Sequence, residues 1–339
     1  MRLAAALLAS LAAIATAACA GSTTGARDPT TIANPTRPPV ASATATNTDL
    51  PASPTPSATA TPAASPCAPR PPRAAGDTTA SLSSGGLTRT YIVHVPPPYD
   101  GTRPVPLVLV FHGYALDAQY MVEYTQFDAV ADAAGFITVY PNGAGTPQGW
   151  NTRDGPEQPN DLTFVRDLLA ALESQLCIDP ARVFAAGYSN GGGMVQRLAC
   201  DMPEPFAAVG LVGAAYLPCP GQVPVVAFNG TADTFVPYEG VSSTDPAEAA
   251  PPVPTVIATW AAKLGCDPSP VISRPASDVQ LSRFHGCPAG DSEAQLYTII
   301  GGGHTWPGAA MIIDRLGTTS EQVHASLAMW AFFVAHPHR

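Results

Sequence analysis

An α/β fold, built on a mostly parallel central sheet flanked by helices, is what the sequence predicts. Two observations predict it. From about residue 78 onward, short apolar runs alternate with longer stretches whose apolar residues recur at helical spacing. Several of the runs are continuously apolar rather than alternating, as expected of strands buried on both faces. The chain has 339 residues and is 46% hydrophobic, enough to build a large core.

Strands are expected over residues 88–95, 106–111, 137–140, 182–187, 207–212, 225–229 and 295–300, with an earlier one near 78–82. The first two strands are expected to pair as a hairpin. Helices are expected over 117–134, 162–176, 190–200, 255–264 and 321–336. The segments 241–254 and 267–291 read as polar insertions that could cover a cleft. No repeat at a solenoid period is present, so one doubly wound domain is expected over 77–339.

The chain opens with Arg2 followed by an apolar, Ala-rich run to Ala18, too short for a comfortable membrane span, which reads as an export signal over 1–18. Thr16-Ala17-Ala18-Cys19 resembles a bacterial lipobox, which would make Cys19 a lipidated membrane anchor. Cleavage after Ala17 or Ala20 is the competing reading. A protein secreted or anchored at the cell surface is expected in either case. Residues 19–76 are dominated by Pro, Thr, Ser and Ala, with too few large apolar side chains to offset ordering entropy, and are expected to form a disordered tether.

Seven cysteines become six once Cys19 is set aside, and six allow 15 pairings in an oxidising compartment. Cys266 with Cys287 is the first expected pair and Cys200 with Cys219 the second. The formal net charge is −10, which disfavours a polyanionic partner, so no nucleic acid is expected. Neither a metal-site spacing nor a phosphate loop nor a dinucleotide fingerprint is found, so no metal and no cofactor is expected.

Chemistry enters at Gly187-Tyr188-Ser189-Asn190-Gly191, a Gly-x-Ser-x-Gly pattern lying between an apolar strand and a helix. That context exposes Ser189 on a sharp turn, where glycines let neighbouring backbone pass close by. A serine hydroxyl needs a base to accept its proton, and in this strand order the base follows the serine. His304 fits, because Gly301-Gly302-Gly303-His304-Thr305-Trp306 follows a strand that ends at the same edge of the sheet. His285 and His324 read as surface or structural residues. The orienting acid should fall between the two, after another strand, which selects Asp233 in Asn229-Gly230-Thr231-Ala232-Asp233.

Phe111-His112-Gly113-Tyr114 ends a further strand and fits an oxyanion loop, which assigns the amides of Tyr114 and Asn190 to a developing negative charge. His112 precedes the serine and reads as scaffold. Trp150 and Trp306 are candidates to line the cleft as flat faces for an aromatic or sugar ring, with core packing the alternative.

Arg89-Thr90-Tyr91, Val110-Phe111-His112-Gly113, the Ser189 and Asp233 motifs and His304-Thr305-Trp306-Pro307-Gly308 together resemble the polyhydroxybutyrate depolymerase and feruloyl esterase family of α/β-hydrolases. The resemblance covers roughly residue 78 to the end. It implies a serine esterase whose serine, aspartate and histidine fall on Ser189, Asp233 and His304. The implied partner is an ester substrate that can be polymeric, a polyester or an esterified plant polysaccharide. Asn229 departs from the pattern, since related sequences usually carry His there. A non-hydrolytic surface binding protein and an acyltransferase on the same fold are the alternatives.

Overall fold

Continuous apolar runs do become strands buried on both faces. The structure, a computed structural model, describes residues 67, 73–152, 159–215, 223–245, 249–288 and 293–338. All of them belong to the unit Ala64–Arg339. In chain order the elements are β1 (Gly76–Ser84), β2 (Leu87–Val95), β3 (Val105–Phe111), α1 (Ala118–Thr125), α2 (Phe127–Ala134), β4 (Ile137–Pro141), α3 (Asp161–Gln175) and β5 (Ile178–Tyr188). They continue as α4 (Asn190–Asp201), β6 (Ala208–Val212), β7 (Val225–Gly230), α5 (Val253–Lys263), β8 (Val271–Ala276), β9 (Val279–Phe284), β10 (Ala294–Ile299) and α6 (Ala325–Ala335).

The sheet runs β1-β2-β4-β3-β5-β6-β7-β10-β9-β8. Its centre, from β4 through β10, is parallel, and antiparallel strands extend it at both ends. This is the α/β-hydrolase arrangement. Alternate side chains of one strand feed opposite layers: Leu107, Leu109 and Phe111 enter the layer under α3, α4 and α5, while Val108 and Val110 enter the layer under α1, α2 and α6. Because the central strands are parallel, their carboxyl ends share one edge, and loops leaving that edge are brought together.

Three expectations are corrected. The helix expected over 117–134 is two helices, since Gln126 adopts a left-handed backbone at φ 55° that ends α1 and opens α2. Hydrophobic spacing carries across a one-residue break, so periodicity does not register it. The last helix begins at Ala325 rather than near 321, with His324 extended as its cap. Within the insertion 267–291 lie two strands, β8 and β9, which continue the sheet beyond β10. β8 is largely exposed and β9 is buried only at Val279, Ser282 and Phe284, without a clean alternation, so pairing with β10, not local pattern, makes them strands.

Cys266 and Cys287 are bonded as expected, and Cys67 is bonded to Cys177. Cys200 is also disulfide-bonded, while Cys219 lies outside the described residues. The export signal, Cys19 and most of the tether over 19–76 fall outside them as well. Among the described residues no helix is long and apolar enough to cross a membrane.

Remote from the carboxyl edge, at the β2 end paired to the start of β4, His94 bridges Asp77 through Nδ1 (2.6 Å) and Asp132 through Nε2 (2.9 Å), with Asp128 at 3.6 Å. Burial alone would depress this imidazole, yet the surrounding carboxylates hold it above its ordinary range. His94 ties the first hairpin to α2.

Candidate active site

Three loops from the carboxyl edge meet at one point. Ser189 joins β5 to α4 at φ 53° and ψ −120°, a conformation that L-residues seldom adopt, and its amide donates to Val212 O (2.9 Å). The turn is possible because Gly191 has no side chain: a Cβ there would lie 2.2 Å from Phe111 O. Gly187 is under the same constraint, with a Cβ 2.3 Å from Gly191 O.

His304 follows β10, and its imidazole faces both expected partners. Nδ1 lies 2.7 Å from Asp233 Oδ2 and Nε2 lies 2.9 Å from Ser189 Oγ. A carboxylate can only accept, so Nδ1 carries the proton and Nε2 is left to accept from the serine hydroxyl. Asp233 is buried in the turn after β7, and its other oxygen, Oδ1, accepts the amides of Phe235 and Val236, each at 2.8 Å. Both carboxylate oxygens are thereby occupied, which fixes the rotamer that meets His304.

Two residues that hold the imidazole carried no sequence signal of their own. The Tyr188 hydroxyl donates to His304 O (2.6 Å), and its ring packs 5.1 Å from the imidazole. Gly213, after β6, leaves room for the ring at φ +59°, where a Cβ would sit 2.9 Å from both Nδ1 and Cε1 of His304. Gly213→Ala is expected to lower kcat at least tenfold with little change in KM, since a displacement well under 1 Å misaligns proton transfer. Gly85 has the same φ with nothing within 4 Å, so Gly85→Ala reports the backbone cost alone, about 1–2 kcal/mol, without the kinetic effect. Equal kcat losses in the two variants would refute the contact argument.

The loop after β3 passes beside Ser189: a Cβ on Gly113 would lie 3.4 Å from Ser189 Cβ. Tyr114 follows directly, and the Asn190 amide belongs to the first turn of α4, where amides lack intrahelical acceptors. The Asn190 side chain has a separate task. Its Oδ1 accepts the Trp150 amide (2.7 Å) and its Nδ2 donates to Trp150 O (3.2 Å), clamping the loop after β4 to the turn at Ser189. Asp161 continues the clamp, accepting the Asn151 amide at 2.7 Å while paired with Arg89 at 2.8 Å, and Arg197 donates to Asn151 O at 2.8 Å.

His112 is scaffold, as its position implied. Nδ1 donates to Gly113 O (2.7 Å) and Nε2 accepts the Gly143 amide (2.8 Å), so only the neutral ring satisfies both. Burial pushes its pKa down to about 4. The unfolded chain, with an ordinary histidine near 6.5, therefore takes up a proton that the folded chain refuses. The stabilisation is complete above pH 6.5 and lost as the pH falls towards 4, about 3 kcal/mol in all. Urea unfolding at pH 4.5 and pH 7 should show a shallower pH dependence for His112→Gln than for the parent protein; an identical slope would contradict this.

The cleft-lining expectation for the two tryptophans is corrected. Trp306 is fully buried against Phe127, with its indole N–H on Ser326 Oγ (3.1 Å). Trp150 is buried between Phe111 and Phe164 and donates to His112 O (2.9 Å). Neither offers a ring face to a ligand; both anchor loops. Asn229 is enclosed within β7, and neither polar atom of its side chain has a partner among the described residues.

The pattern of the family described as Esterase PHB depolymerase matches residues 89–219. A protein of Nocardia uniformis subsp. tsuyamanensis named as an esterase, NocK, is 33% identical over 266 residues, covering 70% of this chain and 76% of its own. The chain belongs to this esterase family. Feruloyl esterase C of Emericella nidulans is 29% identical over 73% of the esterase and 84% of its own length. Among solved structures, the acetyl xylan esterase from Aspergillus awamori superposes with a TM-score of 0.55 at 15% identity, covering 76% of the esterase and 99% of that chain, a likeness of fold. Membership assigns the protein to the carboxylic ester hydrolases.

Proposed function

We propose that the esterase works through an acyl-enzyme formed on Ser189. The observation that carries this reading is the unbroken relay from Asp233 Oδ2 to His304 (2.7 Å) and from His304 to Ser189 Oγ (2.9 Å). The serine proton passes to His304 Nε2 as Oγ attacks the ester carbonyl carbon, and the carbonyl oxygen becomes an oxyanion facing the Tyr114 and Asn190 amides. Collapse breaks the ester C–O bond, and the leaving alkoxide takes the proton from Nε2. Water then loses a proton to Nε2, attacks the acyl carbon and releases the acid, and Ser189 recovers its proton. Asp233 holds the imidazole tautomer and stabilises the transient imidazolium.

Esters of plant polysaccharide, feruloyl or acetyl, and short polyesters of hydroxyalkanoates are the substrate classes this reading favours. Secretion or surface anchoring rests on the first twenty residues. A fluorophosphonate should label the parent protein at Ser189 with a 1:1 stoichiometry, found by mass spectrometry of the tryptic peptide. Labelling elsewhere, or none, would overturn the assignment.

A further inference from the structure

Two aromatic rings lie against the His304 imidazole, each with its centroid 5.1 Å from that of the imidazole. Tyr188 is buried, and its hydroxyl is committed to His304 O. The other ring, Phe235, comes from the turn after β7 and is only half-buried. Its plane is tilted by 31° to the imidazole, nearer to a stacked than to a perpendicular arrangement, so it presents more face than edge. The Phe235 backbone amide donates to Asp233 Oδ1 at 2.8 Å. One residue thus meets both the acid and the base of the relay: its main chain holds the carboxylate, and its side chain lies against the ring that the carboxylate orients. A phenyl group has no hydrogen bond to offer, so it acts on the imidazole through packing and through the negative charge of its π face.

That charge matters because of what His304 becomes during turnover. The imidazole is 4% exposed and Asp233 5%, so the proton that leaves Ser189 Oγ creates a cation with almost no access to water. Asp233 compensates it at Nδ1. An aliphatic wall would leave the rest of the charged ring without a partner, whereas an aromatic face within about 6 Å attracts a cation, and more strongly where water is excluded. The neutral imidazole of the resting state gains far less from the same face. The contact therefore favours the charged state over the ground state, which is the condition for a gain in rate rather than in binding.

We propose that Phe235 acts through His304, as a positioning residue whose ring face holds and stabilises the imidazolium formed in both chemical steps. The assignment rests on the acyl-enzyme reading of Ser189, and it adds to that reading a contact with the base rather than with the substrate.

Steady-state kinetics on p-nitrophenyl acetate should show kcat and kcat/KM of Phe235→Leu lowered together by about three- to thirtyfold, because acylation and deacylation both pass through the charged imidazole. KM should stay within about twofold of the parent value. Phe235→Tyr keeps the aromatic face and should restore the parent kcat to within about twofold. Leucine also changes shape, and replacing Phe235 by mono-, tri- and pentafluorophenylalanine separates shape from charge. Fluorine withdraws negative charge from the face while the ring keeps its place, so log kcat should fall steadily with fluorine number.

Butylboronic acid gives a readout independent of turnover. Its boron bonds to Ser189 Oγ to form a tetrahedral boronate anion, and the serine proton passes to His304, so its inhibition constant should rise in Phe235→Leu by the factor lost from kcat. A kcat indifferent to fluorine number, or boronate inhibition unchanged in Phe235→Leu, would overturn the role of the ring. Failure of the acyl-enzyme reading would look different: the parent protein itself would neither turn over the ester nor bind the boronic acid, and the assignment of Phe235 would fall with it.

Discussion

Ser189→Ala is expected to lower kcat on p-nitrophenyl acetate by about 10⁵–10⁶, leaving only the residual rate that oriented amides and binding provide. The size follows from the geometry. Without Oγ no covalent intermediate forms, and His304 Nε2, 2.9 Å from that atom, has no proton to accept from the enzyme. Fold and stability should barely change, because alanine meets the same backbone requirement at φ 53° as serine and only one partly buried hydrogen bond is lost, about 1 kcal/mol. A mutant that keeps more than 1% of parent activity, with an unaltered circular dichroism spectrum, would remove Ser189 from the mechanism.

Asp233→Asn should cost about 10⁴ in kcat at neutral pH while leaving KM near its parent value. In the parent protein Oδ1 accepts two backbone amides and Oδ2 accepts the proton of His304 Nδ1. An asparagine keeps its oxygen on the Phe235 and Val236 amides, since these can only donate, and so turns its NH₂ towards Nδ1. Two donors cannot face each other, so the imidazole shifts its proton to Nε2. That nitrogen then donates to Ser189 instead of accepting from it, and the base is lost with every atom still in place. Stopped-flow measurement of acylation would locate the defect in the first chemical step; a loss below tenfold would mean that the carboxylate does not set the tautomer.

Much of this site's geometry could be read from the chain because each of its three candidate residues sits in a local pattern. Ser189 lies between glycines at a strand-to-helix junction, while Asp233 and His304 each follow an apolar strand that ends at the common edge. The parallel sheet converts those separate local facts into proximity, since strands pointing the same way deliver their following loops to one side. Tyr188 and Gly213 were not legible in that way. Nothing about either residue in sequence says that it will touch an imidazole more than 90 positions later. Their roles depend on the register of β5 against β6 and on where the loop after β10 returns.

Trp150 and Trp306 show the opposite case, where a suggestive neighbourhood misled. Trp306 adjoins His304 in sequence and Trp150 follows the strand β4, yet each indole finds apolar walls and an acceptor for its N–H inside the protein. A large amphipathic ring next to a cleft gains more from burial than from lying open, and only the packing reveals which way it turned.

The sequence by itself determined the alternation of strands and helices and the order of serine, aspartate and histidine, because these are written in periodicity and turn chemistry along the chain, whereas the bond between Cys266 and Cys287, the first of several pairings it left open, is settled by the structure. The tertiary structure alone decided that residues 271–284 extend the sheet, that Asn190 clamps the loop at Trp150, and that Gly213 leaves room for His304. These depend on contacts between segments far apart in the chain, whose energies arise only once the strands have paired and the helices have closed over them.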